Sequence, residues 1–176
     1  NIVLKDGYAL EGGYVRFGAL AFDDGRVRES AGAVWGGKIG DGRLLLGASV
    51  QGRHNPKRKT SLRYDDVGED LNNSELQRDT RDGTDYSANF AWETPVGENG
   101  EFTLDGFYVK TERFQDEDSI EYRDGVEALN NIDVVNSSDV DIEQESFSVN
   151  GGYKLEAFGG KTSFKLGYAS FKDDTF

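Results

Sequence analysis

Residues 84–96 read TDYSANFAWETPV. Tyr86, Ala88, Phe90, Trp92, Thr94 and Val96 share one parity, and Asp85, Ser87, Asn89 and Glu93 share the other. Side chains of a strand alternate between its two faces, so this stretch is a strand with one oily side and one wet side. Residues 143–157 repeat the pattern: Phe147, Val149, Tyr153 and Leu155 stand against Gln144, Ser146, Ser148, Asn150, Lys154 and Glu156. Weaker forms run through 43–54 (Leu44, Leu46, Ala48, Val50), 101–113 (Phe102, Leu104, Tyr108) and 161–171 (Phe164, Leu166, Tyr168). Residues 27–39 group Val27, Ala31, Ala33, Trp35 and Ile39, and 9–22 are apolar but mixed in phase, which makes seven strands in all.

The connections alternate in length. Asp23–Arg26 (DDGR), Gly40–Arg43 (GDGR), Gly97–Gly100 (GENG) and Gly159–Gly160 are tight hairpin signals. Long segments near 55–83 and 114–142 separate the third strand from the fourth and the fifth from the sixth, and they read as loops, either partly disordered or with a short helix around Val126–Leu129. The charge lies there. The chain as a whole carries −13, yet residues 61–85 hold eight acids against three arginines, and 114–145 hold eleven acids against Arg123 alone.

Composition removes several classes. An apolar content of 36% is too high for a disordered chain. The net negative charge argues against a nucleic-acid partner, whose phosphates need a basic surface. Without cysteine there are no disulfides and no thiol chemistry. No run approaches the roughly 20 apolar residues of a membrane-spanning helix. The low mean hydropathy leaves a membrane β-barrel open, because only every second residue of such a strand faces lipid. The chain lacks methionine, so Asn1 is expected to be a mature end or an internal cut.

Outer-membrane barrels join long outer loops with short periplasmic turns, and this chain has that alternation. If the turns at 40–43, 97–100 and 159–160 are periplasmic, Trp35, Trp92, Phe102 and Phe164 fall at one depth as a lower aromatic girdle. Tyr86, Tyr108, Phe147 and Tyr168 form the opposite girdle, roughly 15–20 Å away at strand rise and barrel tilt, against an apolar band of ~25 Å. The competing fold is a soluble acidic β-sandwich acting as a binding module. Its strands usually span about 5–6 residues, shorter than the oily faces here. The fold expected is therefore all-β: an antiparallel meander of about seven long strands, part of a transmembrane β-barrel. Seven is odd, and barrels of this class close with even numbers, so further strands are expected beyond Lys172–Asp174.

Asn1–Lys5 reads NIVLK and resembles the strand that closes the plug domain of TonB-dependent receptors, just ahead of their barrel. Gly7–Gly13 (GYALEGG) resembles the passage into the first barrel strand. The resemblance covers the chain as a fragment: 1–7 as the end of the plug, carried by Ile2, Val3 and their neighbours, and 8–176 as the N-terminal part of a barrel. It implies 22 strands, an outer-membrane location in a Gram-negative bacterium, and active import of scarce nutrients such as siderophores, cobalamin or carbohydrates. It also implies energy coupling through TonB by an upstream segment. A passive porin-type barrel is the alternative within the membrane class.

On that reading, lumen-parity residues near the outer mouth, Arg53, Arg113 and Gln144, are the candidates for cargo contact. Lys57, Arg58 and Lys59, with Arg53, would meet lipopolysaccharide phosphates. Asp116, Glu117 and Asp118, and Asp139, Asp141 and Glu143, are oxygen clusters of the kind hard cations favour, but EF-hand spacing is missing. His54 is the sole histidine and lacks a second ligand nearby, so no metal site and no cofactor is assigned. No Ser/His/Asp order has motif support, and an enzyme is not expected.

Overall fold

Glycines set the turns from which the sheet is built. Gly25 (φ +83°), Gly40 (+60°), Gly97 (+65°) and Gly159 (+75°) each occupy a short connection and adopt the left-handed backbone that side-chain-bearing residues avoid. At Gly40–Asp41, Ile39 pairs with Gly42, so two residues close the hairpin with glycine first, as such loops favour.

The computed structural model describes residues 11–65, 70–157 and 159–176. It contains seven strands: β1 (Gly12–Ala21), β2 (Val27–Ile39), β3 (Gly42–Tyr64), β4 (Leu71–Val96), β5 (Gly100–Arg123), β6 (Ile132–Ala157) and β7 (Gly160–Thr175). They form one antiparallel meander, each strand beside its sequence neighbours, with β1 and β7 as the edges. The all-β fold and the seven-strand order are those the alternation predicted. The expected plug end at 1–7, with Ile2 and Val3, lies outside the described residues.

The segments near 55–83 and 114–142 are a correction. They are largely strand: β3 continues to Tyr64 and β4 starts at Leu71, while β5 continues to Arg123 and β6 starts at Ile132. The expected helix around Val126–Leu129 reduces to one turn of 3-10 helix at Leu129–Asn131. These stretches lack apolar alternation, so they read as loops. The ladder persists because polar side chains bridge the strands. Arg63 donates to Glu75 (3.0 Å) and Glu121 (3.1 Å), Asn73 to Glu121 (3.3 Å), and Gln77 to Glu117 (2.6 Å).

The chain divides into two compact units. Of the described residues, the first comprises 11–52, 85–111, 144–157 and 159–173, and the second 53–65, 70–84, 112–143 and 174–176. In the first, each strand or strand portion is 10 to 14 residues long.

The register explains the mixed phase of the first strand. Gly13 pairs with Trp35, Val15 with Ala33 and Phe17 with Ala31, and those residues pair in turn with Leu46, Ala48 and Val50 of β3. Directly opposed residues project to the same face. Val15 and Phe17 therefore join the oily face, and Tyr14, Arg16 and Gly18 join the wet one. No apolar side chain is buried among the described residues. Phe17 is 83% exposed, Trp35 44%, Phe164 65% and Leu166 82%.

Candidate functional site: an apolar band and a polar face in the first unit

All eight residues expected as girdles belong to the first unit. Trp35 precedes the Gly40 turn and Trp92 the Gly97 turn, while Phe102 and Phe164 follow short turns on β5 and β7. Trp92 and Phe102 meet edge to face, with centroids 5.8 Å apart. Farther along the strands, Phe147 and Tyr168 pack with centroids 6.4 Å apart, and Tyr86 and Tyr108 are exposed. Glycine shapes this band from below. A Cβ at Gly37 would lie 2.7 Å from Trp35 Cζ2, so the indole lies over the glycine.

The opposite face is polar and bonded across strands. Ser49 Oγ and Ser87 Oγ are 2.8 Å apart, Thr111 donates to Asp85 (2.9 Å), and Asn150 donates to Asp105 (2.9 Å). Lys154 donates to Glu101 at 2.7 Å. Across the Gly159 turn, Glu156 bonds Lys161 at 2.8 Å.

The expected cargo residues divide between the units. Gln144, in the first, donates to Asp173 at 3.0 Å. Arg53 and Arg113, both exposed, are in the second, where Arg113 lines a depression with Asp82, Glu112 and Glu143. Lys57, Arg58 and Lys59 are exposed residues of β3, not of a loop. Strand alternation puts Arg58 on the face opposite to Lys57 and Lys59, which splits the basic cluster.

Sequence reasoning missed the partner of His54. The ring is buried, and its Nδ1 lies 2.5 Å from Asp82 Oδ1. The two residues are 28 apart in the chain and lie on adjacent strands, so local spacing gave no signal for the pair. Among the described residues, no group of three or more His, Cys, Asp or Glu side chains is placed to hold a metal ion.

No protein-family model, curated protein or solved structure matches the chain.

Proposed function

We propose that this chain is a membrane-spanning segment of an outer-membrane β-barrel, and that its parent is a TonB-dependent receptor importing a scarce nutrient. The observation that carries the membrane reading is the exposed apolar face combined with the lack of any buried apolar side chain among the described residues. A soluble β-sandwich of this size would bury its aromatics between two sheets, whereas a lipid-facing surface leaves them on the outside. Strand portions of 10 to 14 residues in the first unit suit a span that needs about 9–11 tilted residues. Aromatic bands beside the short turns agree with an interfacial girdle. In this reading the strand portions of the first unit cross the bilayer, and the basic residues of the second are the candidates for lipopolysaccharide contact.

The receptor family, with its plug, TonB coupling and nutrient cargo, rests on the resemblance of NIVLK and GYALEGG to the plug-to-barrel passage. A plug-sized segment upstream in the parent gene is the expected finding, and a parent with no such segment would favour a passive porin.

The membrane reading is tested by refolding the chain into vesicles that contain lipids brominated along their acyl chains. Fluorescence from Trp35 and Trp92 is expected to be strongly quenched, with β-type circular dichroism in lipid or detergent and aggregation in plain buffer. Monomeric, cooperatively folding β-structure in buffer, with tryptophans that the brominated lipid leaves unquenched, would overturn it in favour of the soluble module.

A further inference from the structure

We propose that the polar face of the first unit carries a carboxylate-binding subsite centred on Arg16. Two adjacent rows of side chains build it. In one, Arg16 pairs with Gly32 and Gly32 with Ser49, whose hydroxyl meets that of Ser87. In the other, Tyr14 pairs with Val34 and Val34 with Gly47, and the Asn89 amide lies against Gly47. A Cβ at Gly47 would be 2.5 Å from Asn89 Oδ1, and one at Gly32 would be 3.0 Å from Arg16 Nε. The two glycines thus open a depression of about 170 Å³ and let the guanidinium and the amide lie across its floor.

The electrostatics select the ligand. The chain has 33 acids against 20 bases, and Arg43, Arg63, Arg81 and Arg123 all meet carboxylates. Arg16 has no hydrogen-bond or ion-pair partner among the described residues, and neither Asp nor Glu lines its depression. A guanidinium fork matches a carboxylate with two parallel N–H···O bonds. The Asn89 amide and the one hydroxyl hydrogen that the Ser49–Ser87 bond leaves over add neutral donors for the remaining lone pairs. Among the described residues, Arg16 is the only cation lining the depression, which suits a singly charged carboxylate better than a phosphate dianion. The subsite uses only the polar face, so it holds whether or not the opposite face meets lipid.

Arginine-specific modification by phenylglyoxal, read residue by residue by mass spectrometry on the chain refolded in detergent, tests this. Sodium acetate is expected to slow modification of Arg16 several-fold relative to sodium chloride at equal ionic strength, and to leave the exposed Arg58 unaffected. The double variant Ser49→Ala/Asn89→Leu should lose most of that protection while keeping its β-sheet dichroism. A carboxylate supplied by another part of the parent polypeptide would appear as protection already present in the longer chain without acetate, and lost in the same double variant. Equal slowing by acetate and chloride, equal slowing at Arg58, or stronger protection by inorganic phosphate than by acetate would each overturn the proposal.

Discussion

Asp82→Ala is expected to destabilise the second unit by about 2–4 kcal/mol, read as a lower urea midpoint for loss of β-structure in the detergent-refolded chain. The His54 side chain is fully buried, and Asp82 is 20% exposed. A buried ring nitrogen that loses its partner forfeits both the bond and the hydration it gave up on folding. That asymmetry makes removal of one partner costlier than the bond itself is worth. Asp82→Asn keeps an acceptor oxygen at the same reach and should cost clearly less than alanine. Similar losses for both variants would mean that packing, not the bond, holds this pair. A loss below about 0.5 kcal/mol for Asp82→Ala, the range of ordinary surface changes, would remove the pair from any account of stability.

The second large effect is expected at Gly106, buried in the middle of β5. A Cβ there would stand 2.7 Å from Phe90 Cε1 and 2.8 Å from the backbone oxygen of Ser148. The Phe90 ring can rotate away, but the Ser148 carbonyl belongs to the neighbouring strand and can yield only if the ladder shifts. Gly106→Val should therefore cost about 2–3 kcal/mol through overpacking. Gly151 is the control, because a Cβ there meets its nearest neighbours, Leu104 Cδ1 and Leu166 O, at 4.0 Å. Gly151→Ala should be neutral or stabilise by up to about 1 kcal/mol, since it restricts only the unfolded chain. Equal urea midpoints for the two variants would show that β5 and β6 are free to separate at Gly106.

The sequence by itself determined the number of strands, their antiparallel order and the positions of the short turns. The physical reason is local: a two-residue period and left-handed glycines act within a few residues of one another. It also marked the oily face of β2 to β7, because an aromatic such as Tyr86 or Phe147 between polar neighbours leaves no doubt about parity. Tertiary structure decided what local pattern cannot encode. Val15 and Phe17 found their face only through the register with Ala33 and Ala31. The stretches around Arg63 and Glu121 became strand because residues 58 apart bond across it. His54 gained a partner from the next strand. The Arg16 depression needed four strands aligned before its two glycines fell side by side. Each of these depends on which residues stand opposite one another, and pairing between strands is fixed by the whole sheet, not by any one stretch of chain.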